Sequence, residues 1–415
     1  MDRDMNRYPS RRTFLARSAG SLASAALLPE LDLVGPRRLP EPKHLAVIGT
    51  GRQGRAILGE LAKIDGARVV AVADSDPGRL KIGLARAPLA EGFADHRALL
   101  EKRRDLDAVI IATPTHLHRA PVEDALQAGK HVYCEAPLAH TVPDAQAIAA
   151  AAQQNPTRLF MAGFYGRSNP VYQLARTFYR TDAFRDFIGA TTHFHQKTSW
   201  RFPSTDPAND KAVNWRLDGS VSTGLAGEIG AQQFDVIHWF RNRLPTTVSG
   251  TGAILVHKDG RTVPDTVQAT LGFGDGTATL FEASLTNSYG GQHEVLRGTN
   301  GSFKLGWTHG WMFKETDAPT LGWEVYALRQ QFHQDEGIIV IADATKLAAV
   351  GQLKAGIGLP YPPLYYALAD FLRSVSFPNV PVPTSAQAGL RSTVVGILAN
   401  QAVVTGSTVT VPADL

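Results

Sequence analysis

The chain has 415 residues, of which 44% are hydrophobic and 19% charged, enough for two domains with separate cores. Most of the net charge of +4 sits in the first forty residues, where seven arginines outnumber four carboxylates. The near-neutral remainder gives no electrostatic basis for a nucleic-acid partner, and Cys134, the only cysteine, excludes an intrachain disulfide.

Residues 1–40 read as a signal followed by an arm. Ser10-Arg11-Arg12-Thr13-Phe14-Leu15 precedes a weakly apolar run of Ala, Ser and Leu that ends at Leu28. The paired arginines, the short run and the small residues Ala23 and Ala25 resemble a twin-arginine export signal, with cleavage expected near Ala25 or Ala26. The run is shorter than the roughly 20 residues of a permanent anchor. The expectation is a periplasmic protein that meets the twin-arginine translocase during export and keeps no stable membrane anchor. Pro29, Pro36, Pro40 and Pro42 make residues 29–43 an extended arm.

From Lys43 the texture changes. His44–Ile48 is a short apolar strand, a glycine-rich turn follows, and an apolar-periodic helix runs from Gln53 to about Ile64. Further strands are expected at Val69–Ala73, Ala108–Ala112, His131–Cys134 and Leu159–Ala162, with a helix at roughly 143–153. Strands alternating with helices imply parallel pairing through right-handed crossovers, an α/β Rossmann domain over residues 41–162.

Gly49-Thr50-Gly51-Arg52-Gln53-Gly54 lies between the first strand and its helix. In this G-x-G-x-x-G pattern the first glycine makes the tight turn. The second lets backbone approach a pyrophosphate, and the third packs helix against strand. The amides that open the helix, at Arg52 and Gln53, then face phosphate. Asp74 ends the second strand, where a carboxylate binds ribose hydroxyls; its charge favours NAD, while Arg52 leaves NADP open.

Residues 163–415 read as an α+β domain with a large, mostly antiparallel open sheet. Strands are expected at 189–200, 247–256, 265–273, 277–287 and 292–305, and helices at about 169–180, 228–241, 362–374 and 389–404. On the first of these strands the period of two puts His193, His195, Lys197 and Ser199 on one side. His193-x-His195 suits a metal, but no third ligand stands at suggestive spacing, so no metal is expected. Trp200 and Trp215 offer flat faces to a pyranose ring or to plain core, and Arg216 suits a sugar hydroxyl or a phosphate.

Three further segments complete an ordered set: Ala112-Thr-Pro-Thr-His-Leu-His118, Ala128-Gly-Lys-His-Val-Tyr-Cys-Glu-Ala-Pro-Leu138 and Gly227-Glu-Ile-Gly-Ala-Gln-Gln-Phe-Asp235. With the glycine pattern they make the chain, from about 44 to 400, resemble the glucose–fructose oxidoreductase, inositol dehydrogenase and rhizopine-catabolism (Gfo/Idh/MocA) oxidoreductases. The resemblance implies that Thr113, Pro114 and His116 line the cofactor cleft and that Glu135 touches the cofactor's ribose region. It places Arg167, Arg216, Gln232, Asp235, His195 and Trp200 toward a carbohydrate ligand. It also implies a homo-oligomer formed through the open sheet face.

Two departures bear on the chemistry. The family usually has Glu-Lys-Pro where this chain has Glu135-Ala136-Pro137. It usually has a carboxylate, a histidine four residues on and an aspartate three further, where this chain has Glu228, Gln232 and Asp235. Glutamine is no acid or base near neutral pH. Glu228 thus remains as a catalytic carboxylate, and His193, Lys197 or Tyr165 is left to accept a proton.

Three functions stay open on this reading. One is an NAD(P)-dependent sugar or cyclitol oxidoreductase with a tightly held, internally recycled cofactor. Another is a glycosidase or lyase that oxidises transiently and eliminates. The last is a carbohydrate-binding homologue without chemistry.

Overall fold

The computed structural model describes residues 38–415 apart from 205–206, 323, 325–326, 333–334 and 341–357. The expected export signal, its cleavage point and most of the arm lie outside the described residues. Among the described residues no helix is long and apolar enough to cross a membrane.

Six strands form the first sheet: β1 (Arg38–Ile48), β2 (Asp65–Ala73), β3 (Glu91–Phe93), β4 (Ala108–Ile111), β5 (His131–Glu135) and β6 (Phe160–Gly163). Their order is β3-β2-β1-β4-β5-β6 and every pair is parallel. The strands are apolar throughout because both faces are covered. Ala46, Ile48, Val109 and Ile111 enter one core, and Leu45, Val47, Ala108 and Ile110 enter the other. β1 starts inside the expected arm, since Leu39 is buried in the second of these cores.

Five helices position the site: α1 (Arg52–Leu61), α2 (Val142–Gln154), α3 (Ala231–Arg241), α4 (Pro363–Ser376) and α5 (Ala386–Thr405). The division at residue 162 does not hold for the last two. α4 carries Leu364, Tyr365, Phe371 and Leu372 into the core that holds Leu45, Val47 and Ile57. Each such side chain contributes about 1.5–3 kcal/mol by leaving water, so the C-terminal segment completes the first domain. α5 is apolar on more than one side because it lies between two layers. Leu390 and Val394 join the first domain's core, whereas Val395, Ala399, Ala402 and Val403 pack on the second sheet.

That sheet comprises β7 (Phe187–His195), β8 (Thr247–Ala253), β9 (Thr266–Gly272), β10 (Ala278–Ser284), β11 (Gln292–Gly298), β12 (Gly301–Leu305), β13 (Gly310–Lys314), β14 (Arg329–Phe332), β15 (Asp335–Ile339) and β16 (Val409–Thr410). Their order is β14-β15-β13-β12-β11-β7-β10-β9-β8-β16. β7 and β10 run parallel and the other pairs antiparallel. The expected strand 189–200 stops at His195, and 292–305 is two strands broken at the Thr299-Asn300 turn. Thr192, Phe194, Phe281 and Ala283 are buried toward the helices. The alternate residues, among them His193, His195, Glu282 and the 52% exposed Leu280, face the opposite way.

Candidate active site

The glycine loop has the shape that its sequence implies. Gly49 has φ +91°, and a Cβ there would lie 2.7 Å from the Ala112 carbonyl carbon. A Cβ on Gly54 would lie 1.8 Å from the Gly49 oxygen, so helix and turn touch there. Gly51 meets nothing within 4 Å and begins α1 without a side-chain cap, which leaves the helix's first amides facing an open space. Asp74 braces the loop: one carboxylate oxygen accepts from the Thr50 amide at 2.8 Å, the other from the Asp76 amide at 2.9 Å. The arginine in its field is Arg55, which also donates to the Thr50 carbonyl at 3.1 Å. Arg52 instead places its guanidinium 5.7 Å from the Phe202 ring, toward the second domain. It is therefore poorly placed to soften the Asp74 preference.

Beyond the loop, β4 and β5 deliver Thr113 and Glu135 to the same cleft from their C-terminal ends. The sites at such ends are where open α/β sheets bind ligands. Thr113 Oγ1, His116 Nδ1, Glu135 Oε1 and His140 Nδ1 are buried and have no hydrogen-bond partner among the described residues. Unpaired buried polar atoms are costly, and a polar ligand that fills this cleft satisfies them. The His116 ring meets the edges of His140 at 5.9 Å and Trp215 at 5.5 Å. No motif or periodicity in the sequence singles out His140.

Glu135 is 6% exposed, and Tyr165 donates its hydroxyl hydrogen to Glu135 Oε2. Gln53, from the first turn of α1, donates to the Tyr165 oxygen at 2.7 Å. Burial raises the Glu135 carboxyl to about 7, against the opposing pull of the hydrogen bond from Tyr165. Burial also pushes Tyr165 well above its usual range. A carboxyl poised near neutral pH, with one oxygen held and the other free, is equipped to take or give a proton. Tyr165 thus lies against Glu135 and donates to it, where the sequence reading offered it as a proton acceptor. The sequence identified Glu135 as a cofactor contact and missed its acid–base capacity, which comes from burial.

Glu228 lies on a π-helical turn, Ala226–Gly230, that runs directly into α3; such bulges recur at functional sites. Its side chain is buried and accepts from Thr115 Oγ1 and Thr223 Oγ1, both at 3.0 Å. Arg216 Nε stands 3.8 Å away, and the same guanidinium packs over Trp215 at 4.5 Å and Trp200 at 5.9 Å. The Arg216 charge also acts on Glu135, so both carboxylates lie within the field of one guanidinium. A cavity of ≈ 600 Å³ bordered by Ser199, Phe202, Asp210 and His257 does not include Thr113, Glu135, Arg216 or Glu228 in its lining. That volume suits a small ligand.

Several expected ligand contacts are committed elsewhere. The Gln232 side chain accepts from the Tyr165 amide at 3.1 Å and donates to the Gly163 carbonyl at 2.8 Å, tying α3 to the segment after β6. Arg167 and the fully buried Asp235 form a two-pronged ion pair at 2.7 and 2.9 Å, and Ser392 donates to the same carboxylate. Gln232 thus ties α3 to the end of β6, while Arg167 and Asp235 pair with each other beside α5. His193 and His195 do share a face, but it is the open face of the sheet, opposite α3, because Thr192 and Phe194 take the inner one. Lys197 lies past the end of β7 and is exposed. None of these three reaches the cleft. Trp200 is buried, with its face toward Arg216.

Residues 43–164 match the family model described as an oxidoreductase family with an NAD-binding Rossmann fold, and 185–304 match the GFO/IDH/MocA C-terminal domain. The chain belongs to the GFO/IDH/MocA family of NAD-dependent oxidoreductases. Within the family, inositol 2-dehydrogenase 1 of Saccharopolyspora erythraea is 39% identical over 133 residues, 31% of this chain and 39% of that protein. A glycosyl hydrolase family 109 protein of Shewanella amazonensis is 27% identical over 251 residues, 54% of this chain and 52% of that protein. The matched stretches thus span about half or less of these relatives. A solved levoglucosan dehydrogenase, in complex with NADH and levoglucosan, shares the fold with a TM-score of 0.71 at 19% identity, covering 91% of this chain and 100% of the other.

Proposed function

We propose that this family member acts on a carbinol carbon of a sugar, cyclitol or glycoside, with NAD held tightly and recycled in place. The observation that carries the reading is the Gln53–Tyr165–Glu135 hydrogen-bond chain, which ends on an unpaired carboxylate oxygen beneath the glycine loop. Bound NAD supplies hydride exchange with the carbinol carbon. The chain supplies the proton transfer: Glu135, ionised above about 7, takes the hydroxyl proton on its free oxygen while Tyr165 holds the other. Arg216 and Glu228 orient neighbouring hydroxyls, and Trp215 presents a flat apolar wall. Asp74 favours NAD over NADP because a 2′-phosphate beside it meets a negative charge.

The Arg11-Arg12 segment supports export of the folded chain with its cofactor already loaded, and a cofactor that cannot be replenished outside must be recycled. The open sheet face, with Leu280 exposed, supports a homo-oligomer.

The pairing of Glu135 with Glu228 across Arg216, and the likeness to a glycosyl hydrolase family 109 protein, favour a second outcome on the same site. Oxidation of a ring hydroxyl to a ketone acidifies the adjacent C–H. One carboxylate removes that proton, the glycosidic group leaves, water adds, and the retained hydride returns to the ketone. Mass spectrometry of the nucleotide that co-purifies, followed by chromatography of products from cyclitols and glycosides, tests both. Oxidised product supports the first course and released aglycone the second. A purified chain that holds no nicotinamide dinucleotide overturns both.

A further inference from the structure

On the open face of the second sheet, the parallel pairing of β7 with β10 sets Glu282 directly opposite His193, and His195 stands one pleat further along β7. The ligand atoms of His193, His195 and Glu282 all lie within 4.8 Å of one another. The spacing in the sequence concealed this third ligand, because only the register of two distant strands brings it in. His195 Nδ1 lies 2.8 Å from the Tyr289 carbonyl. A carbonyl only accepts, so Nδ1 carries a hydrogen, and in the neutral ring Nε2 then presents its lone pair. That Nε2 is buried and without a hydrogen-bond partner among the described residues, and it faces a Glu282 oxygen 3.4 Å away. In the neutral ring two lone pairs face each other at that distance, an arrangement that a cation between them satisfies.

We propose that His193, His195 and Glu282 form a site for a divalent transition ion of the zinc class. Two imidazoles and a carboxylate are a borderline-soft donor set that suits zinc better than magnesium or calcium. Bonds of about 2.0–2.2 Å in a tetrahedron put ligand atoms about 3.3–3.6 Å apart. The His195–Glu282 separation already meets that spacing, and small side-chain rotations close the rest. The Tyr289 carbonyl fixes the ring as outer partners of zinc-bound histidines do. His293, stacked on His193 at 4.7 Å with 20° between planes, limits that ring's freedom. The fourth position faces out of the sheet and is left to a water or to a donor from a facing copy of the chain. The ion staples the parallel β7–β10 pair and takes no part in the cleft chemistry, so the site stands independently of the proposed activity.

The test uses the full chain without a histidine tag, stripped with chelator and titrated with Zn²⁺ by calorimetry and with Co²⁺ by visible absorbance. One ion per chain, a tetrahedral Co²⁺ spectrum and a Zn²⁺-dependent rise in Tm are expected. His195→Ala and Glu282→Gln should each weaken Zn²⁺ binding by at least ~100-fold and abolish the Tm response, since each removes a direct ligand. His44→Ala, at an exposed surface histidine, should change neither. Glu282 is partly exposed, so its variant folds even if His195→Ala does not. No binding by the wild type overturns the proposal, as does binding that Glu282→Gln leaves unchanged, which would mean that a proton bridges His195 and Glu282.

Discussion

The two walls of the cleft treat their polar atoms in opposite ways. The first-domain wall keeps Thr113 Oγ1, His116 Nδ1, Glu135 Oε1 and His140 Nδ1 buried and unpaired. The second-domain wall, built on α3, ties Gln232 to backbone and Asp235 to Arg167 and Ser392. Free donors and acceptors in a low-dielectric site are expensive to keep, and they persist where a ligand completes them. Under the proposed function the contrast assigns binding and proton transfer to the first wall and makes much of the second a brace, with Glu228 and Arg216 as its contribution to the ligand.

The largest effect should follow from closing the loop on the first wall. Gly54→Val puts side-chain carbon where the Gly49 oxygen already lies, and complete loss of co-purifying nucleotide is expected by mass spectrometry. Gly51→Ala, at a position with open space, should fold normally and retain less nucleotide than wild type. Equal retention in both variants would break the comparison, because the loop would then not be the cradle.

Glu135→Gln should lower turnover by about 10²–10⁴-fold, the range for a lost general base. The wild-type rate should rise with pH through about 7, where Glu135 ionises, and that limb should vanish in the variant. Tyr165→Phe should leave the limb in place but move it to higher pH, because the tyrosine's hydrogen bond favours the ionised carboxylate. A pH profile that Glu135→Gln leaves intact would shift the chemistry to the other wall.

On the second wall the prediction concerns stability. Asp235→Asn leaves Arg167 buried without its partner, at a cost of about 3–5 kcal/mol, read by urea unfolding. The KM of the surviving enzyme should hold, since the pair faces protein on both sides. A raised KM at unchanged stability would return Arg167 and Asp235 to the ligand.

Local pattern revealed the parts of this molecule that consecutive residues build. Gly49–Gly54, the parallel strands and Asp74 follow from turn sterics and from periodicity over a few residues. What depended on register or on a returning segment stayed hidden. α4 showed its helical period but not its membership of the first core, which only contact with Leu45 and Ile57 decides. His193 and His195 were correctly placed on one face, yet alternation alone does not say which face meets the helices. Glu135 showed its place but not its proton affinity, because burial is a property of the fold.

A pH series sharpens the comparison away from the cleft. Glu294 is fully buried, accepts from Gln233 Nε2 and Trp307 Nε1, and is raised to about 7 by burial. The folded state therefore holds a proton that the unfolded chain releases near its ordinary 4.5. Between about 4.5 and 7 the native form binds more protons, so stability falls as pH rises through this window. The loss levels off above 7 at about 3 kcal/mol. Glu294→Gln should reduce that slope in urea unfolding measured at several pH values, leaving the part that Glu135 contributes, and an unchanged slope would mean that the Glu294 carboxyl titrates normally.

The smallest expected effect concerns the position where the family has lysine. Ala136 packs partly buried against the first domain's core, one residue from Glu135. Ala136→Lys brings an ammonium to the wall that already holds the acid–base group, so it should raise oxidation of the substrate modestly, by less than about tenfold, since one extra charge near a surface-accessible site is worth about 1 kcal/mol. It should also lower the pH at which Glu135 ionises, because a nearby cation favours the carboxylate. Both shifts share one cause and should appear together in the pH–rate profile. If the rate is unchanged or falls while the protein stays folded, position 136 does not project into the cleft as the family lysine does, and proton transfer here rests on the Glu135–Tyr165 pair without room for the older arrangement.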